Sequence, residues 1–74
     1  MNAVVDERVL HLRFEGRSVD LPLRDLDLPG SACDLDVKEA VARYLDIPVR
    51  RFNDYVVERH ATGNWTIRPE AVFG

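Results

Sequence analysis

The sequence predicts an α+β domain in which one helix lies across a mixed sheet made of two β-hairpins. Three observations carry this. Apolar and polar residues alternate over residues 9–24, with a Gly-containing turn between the two runs. From Val37, apolar residues recur every three or four positions until Pro48 interrupts them. β-Branched and aromatic residues then flank Ala61-Thr62-Gly63-Asn64, a hairpin-type turn. The expected layout is one domain over residues 1–74. It has a loose lead-in (1–8), a first hairpin (9–24), a helix (36–47), a second hairpin (54–68) and a tail (69–74).

In the first hairpin Leu10, Leu12 and Phe14 share one face, and His11, Arg13 and Glu15 the other. After the turn Glu15-Gly16-Arg17-Ser18 the alternation resumes with Val19, Leu21 and Leu23. Pro22 has no N–H to donate, so its position should face a sheet edge or a bulge. Residues 25–36 read as a loop, with Pro29-Gly30-Ser31 as turn chemistry and Leu26 and Leu28 turned inward.

The helix should start near Asp36, capped by Asp34 or Asp36. Its apolar stripe is Val37, Ala40, Val41, Tyr44 and Leu45, and Pro48 ends it. Leu10, Leu12, Phe14, Val19, Leu21, Val37, Val41, Leu45, Ile47 and either Val56 or Val57 should form most of the core.

Composition narrows the function classes. Of the 74 residues 46% are hydrophobic and 31% charged, which suits a folded domain rather than a disordered chain. No apolar run approaches the length of a membrane span, and no basic-then-apolar start marks a secretory signal. With the single Cys33 unable to form an internal disulfide, a cytoplasmic location is expected. Residues 1–36 hold four Lys/Arg against eight Asp/Glu, and residues 37–74 six against five. This acidic balance argues against nucleic acid as a partner, because phosphate contacts dominate that affinity.

Residues 37–60, VKEAVARYLDIPVRRFNDYVVERH, admit two readings. In the first, Val49, Phe52, Tyr55 and Val56 form the inner face of a second helix, and Arg50, Arg51, Asn53 and Arg59 reach a DNA groove. With GNWTIRPEAV as a wing, this resembles excisionase-type helix-turn-helix proteins. In the second, 49–53 is a short 3₁₀ turn and 54–60 a strand paired with 65–68. A helix-turn-helix with a wing leaves only Arg59, His60 and Ala61 for the first wing strand, so the second reading is the one adopted.

The resulting order resembles the ubiquitin-like β-grasp family. GRSVDLPL (16–23) is similar to ubiquitin's first turn and second strand. DVKEAVARYLDIP (36–48) is similar to its helix, with a Val-Lys pair near the start and Ile-Pro at the exit. The resemblance implies a protein–protein interaction module or, through Gly74, a carrier or modifier. The chain ends Val72-Phe73-Gly74, with one Gly where that family has Gly-Gly.

No catalytic, metal or cofactor pattern stands out. His11, His60 and Cys33 have no linking spacing, and the Asp25/Asp27 and Asp34/Asp36 pairs lack the glycine and terminal Glu of a calcium loop. The expectation is therefore a non-enzymatic module without cofactor, working through a sheet face or an edge strand on a protein partner. The candidate contact residues are Arg50, Arg51, Tyr55, Arg59 and Trp65. For Trp65 the competing role is in the core.

Overall fold

A computed structural model describes residues 8–70. Residues 1–7 of the lead-in and residues 71–74 of the tail, including Val72, Phe73 and Gly74, lie outside the described residues. The elements are β1 (Val9–Phe14), β2 (Arg17–Pro22), α1 (Leu23–Leu26), α2 (Asp34–Leu45), a 3₁₀ turn (Val49–Phe52), β3 (Tyr55–Arg59) and β4 (Trp65–Pro69). The strands form one mixed sheet in the order β2-β1-β4-β3. Each hairpin is antiparallel, and β1 and β4 join them in parallel at the centre, with Leu10 beside Trp65 and Leu12 beside Ile67.

The first hairpin turns on two residues, Glu15 (φ 53°) and Gly16 (φ 78°), between the paired Phe14 and Arg17. Two consecutive positive φ angles make a type I′ turn, whose twist matches that of the strands. Such a turn makes Phe14–Arg17 a hydrogen-bonded pair. The alternation of antiparallel pairing then extends this to Leu12–Val19 and Leu10–Leu21. The next pair in phase confirms it: the Leu23 N–H donates to the Arg8 carbonyl at 3.0 Å. The backbone groups of Ser18 and Asp20 therefore point away from β1. So does the nitrogen of Pro22, which explains how β2, an outer strand, accommodates proline.

Residues 23–26, expected as strand end and loop, instead make one helical turn that buries Leu23 and Leu26. Pro22 supplies the extended N-cap geometry for it. Helix α2 also begins earlier than expected. Its N-cap is Cys33, not Asp34 or Asp36; Asp36 stands at N3 and accepts the Cys33 N–H at 3.2 Å. The helix ends in a Schellman motif. The Asp46 and Ile47 N–H groups donate to the carbonyls of Arg43 and Ala42 at 3.2 and 2.9 Å.

Asp46 holds φ 59°, a left-handed conformation that strains any residue with a Cβ. Its carboxylate also sits at the negative end of the helix dipole. Asp46→Gly removes both penalties, and urea unfolding is expected to show a gain of about 0.5–1 kcal/mol.

The core lies between the sheet and α2. Leu10, Leu12, Leu21, Val37, Val41, Trp65 and Ile67 are buried in it, and Phe14, Leu45, Ile47 and Val57 pack against it. Of the two valines in β3, Val57 joins the core, while Val56 pairs with Arg68 in the adjacent register position and faces away. Two expectations fail. Val19 is 40% exposed because α2 does not reach over the outer strand, and Tyr44 turns to solvent while Ala42 is buried beneath the Schellman turn. Phe52, absent from the expected core, is fully buried. The 3₁₀ turn after Pro48 swings it under the sheet, where it meets Phe14 (5.2 Å between ring centroids) and Tyr55 (5.3 Å, edge-on). Residues 49–59 thus hold a turn and a strand, and the second helix of the DNA-binding reading does not form. Strand propensity in Tyr55-Val56-Val57 wins over the helical spacing of Val49, Phe52 and Val56.

Candidate functional site

The five residues expected to share one face divide into two groups at opposite ends of β3. Tyr55 opens the strand and Arg59 closes it, which separates them by about 13 Å along the strand.

At the first end, the Arg51 guanidinium lies over the Phe14 ring, 5.2 Å from its centroid, and forms an ion pair with Glu15. Tyr55 is half-buried against Phe14 and Phe52. Arg50 is exposed and makes no ion pair among the described residues. At the other end, Arg59 stacks over Trp65 at 5.1 Å. It also donates to Asp34 Oδ1 at 2.7 Å and to the Ala32 carbonyl at 2.8 Å, tying β3 to the start of α2. Trp65 is only 6% exposed. It belongs to the core, because its parallel neighbour Leu10 puts both side chains toward the helix, and it does not stand out as an anchor.

Several polar side chains on or beside the outer sheet face pair among themselves. The His11 ring nitrogen lies 2.8 Å from Asp20 Oδ1, and His60 lies 2.8 Å from the Thr66 hydroxyl. Arg68 grips Glu58 with two bonds, at 2.8 and 3.4 Å. These bonds from Arg68 hold the Glu58 carboxyl below its usual range, and the same contact raises Arg68. A depressed carboxylate stabilises the fold above its unfolded pKa and loses that contribution as pH falls through the lowered folded value. An NMR titration should therefore place the Glu58 midpoint below that of an ordinary glutamate, and Arg68→Ala should return it toward the ordinary value.

Among the described residues no polar or charged residue is buried, and no three His, Cys, Asp or Glu side chains gather to hold a metal. Cys33 is exposed at the cap of α2.

The feature that sequence reasoning missed lies beside the first group. Leu12, Phe14, Val19, Leu45 and Ile47, with Glu15 and Arg17 at the rim, line an open groove of about 410 Å³. It runs between β2 and the C-terminal end of α2. One wall is an outer strand whose Ser18 and Asp20 backbone groups meet no strand among the described residues. A groove beside an unpaired strand can accept an extended chain, with the strand giving backbone bonds and the groove taking a side chain. Only the strand order makes Val19 a wall of it; the alternation alone puts Val19 in the core. Comparison of the chain with family models, curated proteins and solved structures gives no match. No helix among the described residues is long and apolar enough to cross a membrane.

Proposed function

We propose that the chain is a non-enzymatic protein–protein interaction module of the ubiquitin-like β-grasp kind, which binds through the free edge of β2 and the groove behind it. The observation that carries this reading is the coincidence of the two: an outer strand whose Ser18 and Asp20 backbone groups have no partner among the described residues, and apolar surface exposed at Val19 between them. Outer strands left open are liabilities that folded proteins cover, charge or use. Arg51 and Tyr55 contribute indirectly, by fixing the Phe14 wall, while Arg59 and Trp65 hold the fold together.

A photo-crosslinking residue placed at Val19 tests it in cells that make the protein. Val56, on the far face of the sheet, serves as the control position. Protein adducts at Val19 and none at Val56 are expected. No adduct at Val19, or equal adducts at both positions, would remove the edge as the working surface.

A further inference from the structure

We infer that the β2 edge pairs with a second copy of itself, antiparallel about a two-fold axis through Val19, so that two sheets join into one. The inference rests on the edge reading above and names its partner.

A two-fold axis perpendicular to the sheet keeps both helices on the same side. It then sets residues of equal facing opposite one another, and centring within the segment that carries the outward N–H groups gives three registers, on Ser18, Val19 or Asp20. Only the groups that point outward, those of Ser18 and Asp20, can make the new bonds. Centring on Asp20 sets two carboxylates face to face and matches Ser18 with Pro22, which has no N–H. Centring on Ser18 pairs Ser18 with itself and leaves Asp20 opposite the turn residue Gly16, so two backbone bonds form.

Centring on Val19 pairs Ser18 with Asp20 of the second copy twice over. All four outward N–H groups and carbonyls of the two strands' Ser18–Asp20 segments that face the axis are then bonded. On the outer face each Ser18 hydroxyl can donate to an Asp20 carboxylate, and on the helix side Arg17 meets Leu21 rather than a like charge. On the helix side the two Val19 side chains meet across the axis and the two grooves become continuous. Each exposed element of the edge thus finds a complement in the same short strand, and no charge faces its like.

The register makes a sharp test. Val19 and its symmetry mate form a non-hydrogen-bonded pair, with Cα atoms about 4.5 Å apart, inside the range of roughly 4.4–6.8 Å that a disulfide spans. In a Cys33→Ser background, which removes the exposed native thiol, Val19→Cys is expected to give a disulfide-linked dimer under mild oxidation, and Ser18→Cys a monomer. Sedimentation of the unaltered chain should show a concentration-dependent dimer. Val19→Lys, with its melting curve unchanged, should weaken that dimer by roughly tenfold or more.

A monomer through the millimolar range, or Ser18→Cys cross-linking as readily as Val19→Cys, overturns the self-pairing. A monomer whose Val19 photo-crosslinks capture a different protein also overturns it, while leaving the edge as the binding surface.

Discussion

Phe52→Ala is expected to remove most of the stability of the domain. Phe52 is fully buried and packed between Phe14 and Tyr55. Truncating such a ring forfeits its transfer energy and leaves a cavity, about 3–5 kcal/mol together. A domain of this size sits toward the lower end of the usual range of roughly 5–15 kcal/mol. The melting temperature should fall by more than about 12 °C. The neighbouring surface gives the contrast: Tyr44→Ala, on the solvent side of α2, should stay within about 0.5 kcal/mol of the unaltered protein. Circular-dichroism melts of the two variants check both values. A mild Phe52→Ala variant would mean that the 3₁₀ turn is not part of the core.

Trp65→Ala and Arg59→Ala should separate in the same measurement. Trp65 stands on a central strand and is buried against the helix side of the sheet, so its loss is expected to cost about 3–5 kcal/mol. Arg59 covers the ring from outside and binds Asp34 and the Ala32 carbonyl. A cation over an aromatic face at a partly exposed site contributes about 0.5–1 kcal/mol, and an exposed ion pair adds little more. The expected loss for Arg59→Ala is therefore about 1–2 kcal/mol. A stable Trp65→Ala variant would point to a surface role for the indole; a large loss assigns it to the core.

Local signals in this chain are legible where the chemistry is local. The alternation of Leu10, Leu12 and Phe14, the Glu15-Gly16 turn, and Pro48 after a helical stripe each dictate a backbone state through their own sterics. The strands, the main helix and the 3₁₀ turn follow from them. What depends on neighbours distant in sequence is not legible in the same way. Val19 and Leu12 carry the same alternation signal, and only the strand order exposes one and buries the other. Phe52 lies in a four-residue turn whose sequence says nothing of what packs over it. The Arg50, Arg51, Tyr55, Arg59 and Trp65 set reads as one basic-aromatic patch along the chain, but a strand pulls its two ends apart. Cys33 caps the helix with Asp36 at N3, an arrangement that the loop composition of residues 25–36 conceals.

The parallel pairing of β1 with β4 has a consequence for how the molecule assembles. Leu10 must find Trp65 across more than fifty residues before the sheet has a centre. Each hairpin can close quickly on its own, but neither has a stable partner until β4 is in place. Closure of that long loop should dominate the folding barrier, as it does in small domains rich in non-local contacts. A ribosome making this chain has to release almost all of the described residues before any of them can be held firmly. For the same reason, a truncation before Trp65 removes the middle of the sheet rather than its rim, and leaves the first hairpin whole but alone and β3 without its partner, with their apolar faces open.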